Sequence, residues 1–413
     1  MNSDQYPAWR KSLLPGLALC FTASAAQALT FEVNTTLDLA ADTPSSGVCQ
    51  AIGSPELCSL RAAIQVANAL GGSHSIELPA GTYTLTILDP NDSSAAAGDL
   101  ASYSELAITG AGAEQSIIDG AEATRVFGVY AGSLTLSDLT IQNGAASDVG
   151  GAVQANSDLT LIRSILRNNV ANTGGAIFVG LDAKVDIFDS TLVANSALDL
   201  GVFNPRGSAL RANNSGAIRI ISSTFHGNQP IPDQGNNQTI SLTLGSLDVL
   251  NSTFSGNHAI AISTDNTQVE IRHSTFFNNN QGSIRRFSFD GSHSTLVAAS
   301  VFQGSGNCVG SQPQSLGYNI SSDTSCAFQG SGDLLGVTPM LAPLADNGGP
   351  TQTHNLMAES PAINHVPFGQ CIGLDGFALT ADQRGFSRPV NGLCDSGAVE
   401  YLPETIFNDR FEA

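Results

Sequence analysis

Lysine, tryptophan and methionine are almost missing from this chain of 413 residues, which holds only Lys11 and Lys184, Trp9 alone, and 3 Met. Against 36 Asp plus Glu, the 16 Lys plus Arg leave a formal charge of −20. A surface of that sign makes nucleic acid and anionic membranes poor partners. After residue 28 no apolar run reaches the roughly 20 residues that a spanning helix needs, so no membrane-spanning segment is expected there. The sequence contains no C-x-x-C or H-x-x-x-H pair, no G-x-S-x-G, no phosphate loop and no calcium loop, which removes the usual motif-borne metal, serine-hydrolase and nucleotide chemistries. No cofactor is expected.

What is present is repetition. STFHGN at Ser223 to Asn228 returns as STFSGN at Ser252 to Asn257 and STFFNN at Ser274 to Asn279. Weaker copies begin at Asp138, Ser164, Ser190 and Ser300, so successive copies lie 26, 26, 33, 29, 22 and 26 residues apart. Before most copies runs an apolar, polar, apolar alternation: Leu159 to Leu161, Val185 to Ile187, Ile218 to Ile220, Leu247 to Val249 and Val269 to Ile271. That period marks a strand with one buried face. A unit of this length, built of strands with no helical stripe, predicts one coil of a right-handed, single-stranded parallel β-helix, an all-β solenoid. Equivalent residues should stack about 4.8 Å apart, with Phe225, Phe254 and Phe276 as an inward column and Asn228, Asn257 and Asn279 as a second one at a corner. The asparagine amides would bond along the axis.

Arg10 and Lys11, the apolar stretch from Leu13 to Leu19 and the small-x-small site AQA at Ala26 to Ala28 read as a signal peptide over residues 1–28. Export follows, to the periplasm, the cell surface or the medium. Without those residues the formal charge becomes −21 and six cysteines remain: Cys49, Cys58, Cys308, Cys326, Cys371 and Cys394. Six cysteines allow 15 pairings, and their arrangement as three local couples favours Cys49 with Cys58, Cys308 with Cys326 and Cys371 with Cys394. Residues 29–75 form an extended entry and a capping helix, in which Leu60, Ala63, Ile64 and Ala67 share a face behind Ser59 as N-cap. Coils are expected over 76–337, an irregular carboxyl-terminal cap over 338–401 and a tail over 402–413.

Three blocks resemble known families. CSLRAAIQVAN at Cys58 to Asn68 is similar to the CSLREA-type segment of bacterial surface proteins, with Ala62 in place of the usual Glu. LAPLADNGGPTQTHNLMAESPAIN at Leu341 to Asn364, DQRGFSRP at Asp382 to Pro389 and CDSGAVE at Cys394 to Glu400 resemble the choice-of-anchor Q domain. GGAV at Gly150, GGAI at Gly174 and the F-x-x-N steps resemble repeats of chlamydial polymorphic outer membrane proteins. These resemblances imply a secreted or surface-displayed bacterial β-helix, with relatives that act in adhesion and no defined catalytic residues. Unlike relatives that end in a membrane barrel or an apolar anchor, this chain stops at ETIFNDRFEA, similar to a short exported-protein tail with Arg410 in the Gly position.

Polysaccharide-cleaving β-helices place carboxylates and a cationic base on one outward face. The central residues of the alternations supply one such column here, Thr160, Asp186, Arg219, Asp248 and Glu270. In register, Asp248 and Glu270 would lie about 5 Å apart and Asp186 and Asp248 about 10 Å apart. The alternation of sign is also what an exposed ladder adopts to avoid like-charge neighbours. His226, His258, His273 and His293 occupy different repeat positions and form no column. Asp382, Arg384, Arg388, Asp395 and Glu400 can pair internally to brace the carboxyl-terminal region. The expectation is an adhesin or surface scaffold with a glycan or a host or cell-surface protein as partner. The alternative is a polysaccharide lyase or glycoside hydrolase that uses the Asp186, Arg219, Asp248 and Glu270 face.

Overall fold

The computed structural model describes residues 28–89, 94–198, 206–213, 216–230, 237–287, 293–390 and 392–403. The expected signal peptide, but for Ala28, and residues 404–413 of the tail lie outside them. The chain winds into a parallel β-solenoid with three long ladders of 11, 11 and 9 strands and a short one of 4. One coil shows the plan: Asp158–Ile162 in the first ladder, Ile165–Arg167 in the second, Val170–Thr173 in the short ladder and Ile177–Val179 in the third. Val185–Phe188 then returns to the first ladder, in parallel register with Asp158–Ile162. The ladder begins earlier than expected, because the entry strand Thr30–Glu32 pairs with Ser73–Leu78. The first ladder persists past Gly306 to Gln314–Gly317, and the second to Leu334–Leu335.

The corners explain the repeat. Between first and second ladders seven successive rungs turn on one left-handed residue, Asp138, Arg163, Asp189, Ser222, Asn251, His273 and Ala299, with φ between 45° and 56°. The next residue in the series Ser164, Ser190, Ser223, Ser252 and Ser274 donates its backbone N–H to the following hydroxyl, from Ser190 to Ser300, at 3.1–3.3 Å. At the opposite corner the asparagine column is longer than the sequence suggested. Nδ2 of Asn169, Asn195, Asn228 and Asn257 donates to Oδ1 of the next member at 3.0, 3.1, 3.0 and 2.8 Å, ending on Asn279. Each Oδ1 also accepts the backbone N–H one rung back. The column therefore satisfies bend groups that would otherwise be buried without partners. In GGAI, Gly174 has φ +64° and a Cβ on Gly175 would sit 2.2 Å from the Ser208 carbonyl oxygen, so backbone crowding between rungs dictates the pair.

The core is a continuous apolar axis. Phe225, Phe254, Phe276 and Phe302 are fully buried and stack with ring centroids 5.1, 4.9 and 4.8 Å apart. Phe328 closes the column at 5.6 Å beside the Cys308–Cys326 disulfide. At the other end helix α1, Leu60–Leu70, is the expected lid, with the Ser59 hydroxyl accepting from Ala62 N–H at 3.0 Å. Arg61 is buried too, held by Asp38 at 2.6 and 3.1 Å. All three local disulfides are present.

Residues 338–401 pack on the last rungs through Leu341, Leu356, Ala362 and Val399 against Val301 and Ile320, then run back along the flank of the second ladder. Thr224 Oγ1 donates to Gln352 O at 2.7 Å, Thr253 Oγ1 to Gln383 Oε1 at 2.6 Å, and Ala398 N–H to Thr275 Oγ1 at 2.9 Å. The middle residue of each STF copy is thus a docking group. Gly397, at φ +98°, lets the backbone approach Thr275 and Val301, since a Cβ there would meet them at 2.9 and 3.1 Å.

Candidate functional site

The outward column of the first ladder is assembled in the anticipated register: Thr160 pairs with Asp186, Asp186 with Arg219, Arg219 with Asp248, and Asp248 with Glu270. Asp248 and Glu270 are therefore one rung apart, and Asp186 and Asp248 two. Arg219 grips Asp186 with both arms of its guanidinium, Nε to Oδ1 at 2.7 Å and Nη2 to Oδ2 at 2.8 Å, and lies 5.5 Å over the Phe188 ring. Glu270 accepts from Arg272 Nε on its own strand at 2.5 Å. Both carboxylates are thus already engaged in charge-assisted hydrogen bonds to an arginine.

Asp248 stands apart. Among the described residues nothing donates a hydrogen bond to its carboxylate, which is half-buried between the Arg219 and Glu270 rungs. Burial, and then the Glu270 charge, push its pKa up, while Arg219 pulls it down. Chemically the face offers one carboxyl of raised pKa, an ion pair on one side and a second acid on the other.

The carboxyl-terminal charges form a closed brace. Asp382, Arg384, Arg388, Asp395 and Glu400 are all buried. Arg384 donates to Asp382 Oδ2 at 2.7 Å and to Glu400 O at 2.6 Å, and Arg388 Nε lies 2.7 Å from Glu400 Oε1. Arg388 also reaches across to Asn251 Oδ1 at 3.2 Å on the coil. Burial first, and Asp395 after it, raise Glu400 to about 7 against the pull of Arg388. The histidines stay dispersed. His273, at a corner of the coil, is buried with neither ring nitrogen in a well-formed hydrogen bond among the described residues, the Asp395 backbone standing nearby.

No protein-family model and no curated protein sequence matches the chain. Among solved structures it is similar to the crystal structure of pectate lyase Pel9A, at 13% identity and a TM-score of 0.45, over 92% of this chain and 98% of that one.

Proposed function

We propose that this chain is an exported bacterial surface protein whose rigid coil displays its side faces to a glycan or to a host or cell-surface protein, as an adhesin or scaffold without catalysis. The observation that carries this reading is the closure of the outward column on itself, with Asp186 bound at both oxygens by Arg219 and Glu270 bound by Arg272. An exposed ladder stabilised rung to rung has that form. The signal-peptide pattern and the resemblance to CSLREA and choice-of-anchor Q proteins support export and display, and three disulfides suit an oxidising compartment.

The raised pKa of Asp248 beside Glu270 favours the second reading, a polysaccharide lyase or hydrolase. Both are tested by incubating the protein without residues 1–28 with a panel of polysaccharides and scoring retention and new chain ends. Retention without new ends is the expected result. New ends that fall by about a hundredfold or more in Asp248→Asn, with unchanged melting temperature, would replace the first reading by the second.

A further inference from the structure

The third ladder carries an outward column of a different kind. Its register places Gln154, Phe178, Arg211, Ser241, Ser263 and Arg285 on successive rungs. Arg211 is only 8% exposed, yet its hydrogen bonds are one to Ser241 Oγ at 2.9 Å and a long one to Asn213 Oδ1 at 3.5 Å. Beside it, Arg206 has Asp265 at 3.9 Å, beyond hydrogen-bond reach, and a side chain 36% exposed. A guanidinium carries five N–H donors, so both groups keep donors to spare in a partly desolvated place.

The charges disagree in the same way. Burial, and then the Arg206 charge, lower the Arg211 pKa to about 10, with Asp265 as the opposing influence. Arg285 is engaged elsewhere on the same ladder, donating to Ser263 Oγ at 3.0 Å; burial lowers its pKa, Asp265 opposes that and Arg206 adds to it. Like charges gathered in a buried place are costly unless an anion joins them. Planar guanidinium forks match the two oxygens of a carboxylate or sulfate. A chain of net charge −20 repels a polyanion as a whole, so a local positive spot suits one anionic group on an uncharged carrier.

We propose that Arg206 and Arg211, with the hydroxyl of Ser241 beside them, form a seat for a single oxyanionic group, carboxylate or sulfate, on an otherwise neutral saccharide. The saccharide half of this statement rests on the glycan-binding role proposed above; the anion seat does not.

Calorimetric titration with sodium sulfate, at ionic strength held constant with sodium chloride, tests the seat in the whole protein. Wild type and Arg163→Gln, which loses only an exposed pair with Asp138, should show one saturable site. Arg206→Gln, at an accessible position, and Arg211→Gln should bind about tenfold more weakly or worse. No saturable binding by wild type, or equal affinity in Arg206→Gln, overturns the seat. A glucuronate-terminated oligosaccharide should then bind and compete with sulfate while its glucose-terminated counterpart does not. Sulfate binding without binding of the acidic oligosaccharide overturns the saccharide half and leaves the seat. Retention of neutral polysaccharides without sulfate binding overturns the seat and leaves the glycan role.

Discussion

Phe254→Ala tests the central claim that the coil is held by inward columns. The ring is fully buried and sandwiched between Phe225 at 5.1 Å and Phe276 at 4.9 Å. Truncation removes its transfer free energy and both stacking contacts, and the rungs above and below are tied by ladder hydrogen bonds that limit collapse into the gap. The expected loss is about 3 to 5 kcal/mol. Phe254→Leu should cost less, about 1 to 2 kcal/mol, because Leu192 and Leu166 already fill the same column two and three rungs upstream. Because a solenoid is stabilised mainly between neighbours, the damage should be local. Hydrogen exchange should quicken at Thr224–His226 and Thr275–Phe277 and stay slow at Ser133–Ser137. A loss below about 1 kcal/mol for Phe254→Ala, or equal acceleration along the whole coil, would refute the reasoning.

Asn228→Leu, in the middle of the amide column, leaves the Asn195 backbone N–H and Nδ2 without their acceptor. It should cost about 2 to 4 kcal/mol in urea unfolding. Asp248→Asn should change stability by only about 0.5 kcal/mol in either direction, read as a melting temperature, since it relieves burial of a charge and repulsion by Glu270 while losing the attraction of Arg219. Acid should loosen the flank. His273 faces Arg388 and Arg272, with a weaker opposing contribution from the Asp395 backbone, and burial above all holds its folded pKa well below the ordinary 6.5. The unfolded chain therefore binds the extra proton, and stability falls as pH drops below about 6.5. Glu400 acts in the opposite sense, because its folded pKa of about 7 exceeds the ordinary 4.5 and the native state holds more protons between those values. His273→Asn, which copies Asn251 one rung earlier, should flatten the acid-side loss, whereas Glu400→Gln should steepen it; an unchanged pH profile in His273→Asn would refute the assignment.

The winding of the coil, the local disulfides, the lid helix and the charged column were legible because each depends on neighbours in sequence or on the next rung. Alternation with period two names the buried face, and a repeat of 22 to 33 residues aligns one rung with the next. From that alone Asp186, Arg219, Asp248 and Glu270 fall into line. The same rule links Phe225, Phe254 and Phe276, but it reached only three members of an asparagine column that runs from Asn169 to Asn279.

Pairing within the column was beyond such reading. Whether Arg219 leans to Asp186 or to Asp248 depends on side-chain conformation and on the Phe188 ring beneath it. The arginines of the third ladder were missed because Arg206 and Arg211 lie outside the STF copies, in coils whose lengths vary. Their one sequence signal is that so few cations should fall so close together.

In this protein the sequence by itself determined the coil, since the central rungs from Ser164 to Asn279 repeat one local instruction: strand, left-handed corner, serine, inward apolar residue, asparagine. Tertiary structure alone decided where the carboxyl-terminal region lies, because Thr224 meets Gln352 across 128 residues and Thr253 meets Gln383 across 130. No periodicity reports a contact between a repeating surface and an irregular one. The threonine of STF looks like one more stacked residue until the chain returns and bonds to it.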